Sequence, residues 1–95
     1  MKIGNHDWNI LFVKRALIGG NDGQTNPDEL TIKIADDFEK EEVIMLTFIH
    51  ELIHAIFDEQ GRNYQNKITQ EDLCEFIAWN FEEIQRCVNE FKQRS

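Results

Sequence analysis

Residues 43–57 read VIMLTFIHELIHAIF, and this stretch decides the fold. Val43, Ile44, Leu46, Phe48, Ile49, Leu52, Ile53, Ile56 and Phe57 recur at helical spacing and leave little of the surface polar, which predicts a central, buried helix. The helical period begins near Glu39. Asp36, Asp37, Glu39, Glu41 and Glu42 gather at that end, where the helix dipole favours negative charge. Gly61 supplies a stop.

Working outward, a second helix is predicted over about Gln70–Lys92. It opens on a capping-box-like Thr69…Asp72 and carries an apolar stripe of Leu73, Phe76, Ile77, Phe81, Ile84, Val88 and Phe91. Upstream the period changes to two. Trp8, Ile10 and Phe12 alternate with Asn9, Leu11 and Val13, and Leu30, Ile32 and Ile34 with Thr31, Lys33 and Ala35. Between these strands the turn residues Gly19-Gly20-Asn21-Asp22-Gly23 and Asn26-Pro27-Asp28 predict a loop. The expected fold is a small α+β domain spanning 1–95, with a short N-terminal sheet of two to three strands packed on two long helices. No repeat or linker divides it.

The chain has 95 residues, 10 Lys+Arg against 18 Asp+Glu, and a formal net charge of −8. That balance argues against nucleic acid or an anionic membrane as partner, since both are negative. Cys74 and Cys87 fall on one predicted helix, roughly 19 Å apart along its axis, and cannot pair. Unpaired thiols, no apolar leader core and no run of about 18 apolar residues make a cytoplasmic protein the expectation.

The chemistry sits at His50-Glu51-Leu52-Ile53-His54. A four-residue step brings both imidazoles to one helix face, about one turn apart, within reach of one ion. Glu51 projects about 100° round from His50, beside an open coordination position, where it can act as a general base on water. Lone histidines on apolar helices are usually satisfied core groups. On a helix this apolar, however, two unpartnered imidazoles would be costly to bury, and a metal satisfies both. A zinc site with an open position needs a third protein ligand. Glu71 and Glu75, one turn apart on the second helix, are the candidates, and the turn at Gly61-Arg62-Asn63 would bring them back alongside. Cys74, between them, is read first as a small core residue.

HELIH followed by a Glu on the next helix resembles the gluzincin metallopeptidases in their smallest form. The whole layout is similar to small HExxH proteins of phage and mobile elements: Trp8-Asn9-Ile10, Gly23, Thr31-Ile32-Lys33-Ile34, then His50 to Ile56. The resemblance covers most of the chain, but only the HExxH and the following Glu are specific. It implies a zincin-like fold and one Zn2+ per chain, on His50, His54 and Glu71. Glu75 would orient a ligand histidine or exchange roles with Glu71, since the family usually has Asp or Asn there. It also implies a peptide or protein substrate lying along an edge strand, for which Thr31, Ile32 and Lys33 are the candidates. The family's stabiliser of the tetrahedral intermediate has no matched position; Tyr64 and His6 are the available groups. The tail Lys92–Ser95 could cover the site.

Two functions follow. One is a zinc metallopeptidase, active alone or latent until a partner completes its cleft, with Glu51 as base. The alternative is a non-catalytic, zinc-stabilised interaction or regulatory module. A metal-free helical interaction domain remains only if no ion binds.

Overall fold

The computed structural model describes residues 1–61 and 68–94. A two-stranded hairpin, β1 (Lys2–Ile3) and β2 (His6–Asp7), opens the chain. Strand β3 (Asn9–Val13) leads through a 3-10 turn (Arg15–Ile18) to β4 (Gly23–Asn26) and β5 (Thr31–Ala35). Two helices complete the α+β fold, α1 (Glu41–Glu59) and α2 (Gln70–Lys92). Among the described residues, no helix is long and apolar enough to cross a membrane.

The helices form where the periodicity placed them. Gly61, at φ +64°, closes α1, its N–H donating to Asp58 O. Thr69 and Asp72 form a reciprocal capping box at 3.1 Å each, the shorter Asp serving in place of Glu. Core residues Trp8, Ile32, Ile34, Phe48, Leu52, Ile56 and Phe76 are almost wholly buried. Phe48 stacks on Phe91 of α2 at 4.0 Å between ring centroids, and Phe57 meets Phe76 at 4.0 Å.

The sheet departs from the expected layout. Its order is β3-β5-β4, with β3 and β5 parallel and β4 and β5 antiparallel. The turn-rich stretch expected to be all loop therefore contains a strand, Gly23-Gln24-Thr25-Asn26. Its polar residues and glycine give no period-two hydrophobic signal. It is held instead by register with β5 and by packing on α1.

The candidate site beside Glu51

The HExxH stretch occupies the middle of α1. The 100° step per residue separates its members. His50 and His54 stand on the solvent face, ring centroids 5.0 Å apart in an edge-on arrangement. Glu51 turns inward against β4 and is only 7% exposed. The premise that the imidazoles would be buried is thus overturned. The apolar stripe is broad but not complete, and the histidines take its outer strip, where water satisfies them.

Strand β4 builds the pocket for the carboxylate. Gly23 and Thr25 face α1, in register with the core residues Ile34 and Ile32. Gly23 is required by space, since a Cβ there would lie 2.9 Å from Glu51 Cγ and 3.0 Å from Thr47 Cγ2. The Thr25 hydroxyl lies 2.9 Å from both Glu51 Oε1 and the Glu51 main-chain oxygen. Glu51 Oε2 sits 3.9 Å from His50 Nε2. In front of this group opens a cleft of about 420 Å³, walled by Val43, Leu46 and Thr47 on the helix and Asn21, Asp22 and Gly23 on the strand side. Asp22 is bound to Arg15 Nη1 at 2.5 Å, while the rest of that guanidinium grips Asp37 at 2.7 and 3.0 Å and holds its carboxyl below the usual range. Arg15, bound to the cleft residue Asp22, is therefore already committed.

Among the described residues, no strand pairs with the outer edge of β4. Ala35 N–H donates to Asp22 O at 2.9 Å, so Asp22, Gln24 and Asn26 bond to β5. The backbone groups of Gly23 and Thr25 point away from the sheet, as alternate residues of an antiparallel edge must. Thr31, Ile32 and Lys33 lie on β5, which is central and paired on both sides, so they offer no edge to a substrate. Thr31 and Ile32 are buried, and Lys33 lies 3.8 Å from Glu29. Among the described residues the outer strands of this sheet are β3 and β4, not β5.

Other expected participants stand elsewhere. Glu71 and Glu75 are exposed; α2 directs Phe76 and Asn80 at α1 instead, Asn80 Oδ1 accepting from Gln60 Nε2 at 2.5 Å. Among the described residues no group of three or more His, Cys, Asp or Glu side chains is gathered closely enough to hold an ion. Cys74 is exposed and Cys87 buried, where burial pushes its thiol pKa up. His6 lies beyond the far end of the motif, bound to Glu59 at 2.8 Å. Tyr64 falls outside the described residues. Arg94 does not reach the histidines. It binds Glu41 at 2.8 Å and packs over the Phe91 ring at 3.9 Å. Glu41 precedes His50 by nine residues, about 14 Å of helix.

Sequence reasoning missed Thr25 and the strand position of Gly23; the one available signal was a Gly and a Thr two residues apart in a turn-rich segment. No family model, no curated protein and no solved structure matches the chain.

Proposed function

We propose that the chain is a metal-dependent peptidase in which Glu51 is the general base and His50 and His54 are the protein's imidazole donors to a divalent ion, with zinc the first choice. The observation that carries this reading is the Glu51 carboxylate. It is largely buried, receives a hydroxyl and, among the described residues, pairs with no Lys or Arg, yet it stands at a cleft wall 3.9 Å from the exposed His50 imidazole, with His54 one turn on. Taking a carboxylate out of water costs several kcal/mol unless its bonds are replaced, so a position with only a structural duty is better filled by a neutral side chain.

The donor set fits an ion as far as two ligands. Exposed imidazoles suit zinc, and an open, solvated face leaves room for water and substrate. The third ligand implied by the resemblance, Glu71, would have to turn in from its solvent-facing position. When bound, the ion would supply Lewis-acid polarisation of the scissile carbonyl and a more acidic water. The chain's own part is to accept the water proton on Glu51 and return it to the leaving amine. The outer edge of β4, at Gly23 and Thr25, would hold the peptide extended in front of Glu51.

The test is metal content and proteolysis together. Wild-type protein offered zinc and freed of excess is expected to retain about one ion per chain, and His54→Ala little. Glu51→Gln should keep the ion and lose cleavage. Equal metal in wild type and His54→Ala would end the reading. The specific observation favouring the alternative, a zinc-stabilised module, is the exposure of Glu71 and Glu75; it gains if the ion raises Tm while Glu51→Gln changes nothing.

A further inference from the structure

Two atoms of Glu51 are treated differently by the fold. Oε1 accepts from Thr25 Oγ1 at 2.9 Å, whereas Oε2 lies on the His50 side, 3.9 Å from Nε2. Gly23 bounds the carboxylate from the strand, and a Cβ there would stand 3.2 Å from Oε2. The main-chain oxygen of Glu51 lies the same 2.9 Å from the Thr25 hydroxyl. A threonine hydroxyl carries a single proton, so at any moment it serves one of these two acceptors fully.

From this geometry we infer that Thr25 is a positioning residue for Glu51: its hydroxyl ties down Oε1, so that Oε2 is the oxygen that exchanges the proton with the cleft. This rests on the peptidase reading above. In the step, a water O–H bond breaks as its oxygen bonds to the peptide carbon, and the proton passes to Oε2. When the C–N bond breaks, the same proton leaves Oε2 for the amine nitrogen, and Glu51 is again a carboxylate. While Glu51 is charged, Thr25 donates to Oε1, because bonds to an ionised acceptor are the stronger. While Glu51 holds the proton, the hydroxyl can turn to the main-chain oxygen without movement of either side chain. The hydroxyl thereby holds the carboxylate while it is charged, and the proton's arrival demands only a hydroxyl rotation.

The test compares wild type, Thr25→Val, Thr25→Ser and Glu51→Gln as full-length, zinc-loaded chains. NMR scalar couplings that report the Glu51 side-chain torsions are expected to show one rotamer in wild type, averaging in Thr25→Val, and one rotamer again in Thr25→Ser. Peptide cleavage by Thr25→Val should fall in kcat by on the order of 10- to 100-fold with KM within about twofold, and Thr25→Ser should restore most of it. A strand staple without influence on the carboxylate would leave the couplings unchanged, and that result overturns the inference. So does averaging of Glu51 with an unchanged kcat. If wild type and Glu51→Gln are equally inert on peptides, the peptidase reading fails, while the torsions still decide whether Thr25 holds Glu51.

Discussion

Replacing Gly23 by alanine tests whether β4 lies flush on Glu51, independently of any catalysis. The new Cβ would come within 2.9 Å of Glu51 Cγ, 3.0 Å of Thr47 Cγ2 and 3.2 Å of Glu51 Oε2. Favourable carbon contacts lie at about 3.5–4.0 Å, so strand and helix must separate by about half an ångström or Glu51 must leave its seat. Overpacking of this kind costs roughly 1–3 kcal/mol. At about 2 kcal/mol, a domain of this size loses on the order of 10 °C in Tm. Thermal unfolding followed by circular dichroism measures it. Combining Gly23→Ala with Glu51→Ala removes two of the three clashing atoms, so the pair should be less destabilising than the sum of the singles by about 1 kcal/mol. A Tm within 2 °C of wild type for Gly23→Ala, or strict additivity in the double mutant, would refute the packing on which the site is built.

Two further predictions concern the fold around the site. Burial pushes the Glu59 pKa up, but hydrogen bonds from His6, Trp8 Nε1 and the Asn5 N–H outweigh it, and the group titrates below the usual carboxylate range. A depressed folded pKa contributes stability above the unfolded value of about 4.3, and that contribution is lost as pH falls through the lower folded value. Glu59→Gln should therefore be less stable than wild type at neutral pH, with the gap shrinking in urea titrations as pH falls below about 4.3; an equal gap at pH 3 and pH 7 contradicts the account. Phe48→Ala, which empties a fully buried position and removes the stack on Phe91, should cost about 3–5 kcal/mol in denaturant titration. A loss below 1 kcal/mol would mean that α2 is not seated on α1 as described.

The helices were legible because their signals are local. The Thr69–Asp72 box and Gly61 mark ends that propensity and hydrogen bonding set within a few residues. The β strands were legible only where they carry apolar side chains. Strand β4 has none, and its assignment depends on β5, on Thr25 reaching Glu51 and on the absence of a Gly23 side chain, contacts between residues 5 to 28 positions apart. The alternation of apolar and polar residues in β5 predicts a face toward solvent or a cleft, and the edge role comes only from the family resemblance. The small Ala35 and the hydroxyl of Thr31 are nonetheless buried, because the 3-10 turn and β4 cover the strand. Periodicity reports which side chains like water; it does not report which backbone edges are taken.

The same distinction reorders the functional argument. On sequence, the histidines carried it, because two imidazoles on an apolar helix looked expensive without a metal. In the fold they are solvated, and their exposure costs nothing. The buried member of the motif is Glu51, whose inward turn the motif does not announce. Its side chain is 7% exposed at a cleft wall, where Oε1 accepts from the Thr25 hydroxyl and the absence of a Gly23 side chain makes room for it. A helix needing only to pack on β4 would gain by carrying Gln, Met or Leu there, each of similar size and without a charge to desolvate. The proposed peptidase chemistry would give that charge a use in the cleft, where His50 Nε2 lies 3.9 Å from Glu51 Oε2 and His54 stands one turn further along the helix. The case for chemistry therefore rests on the acid, and the case for a metal rests on what the acid would otherwise have to do alone.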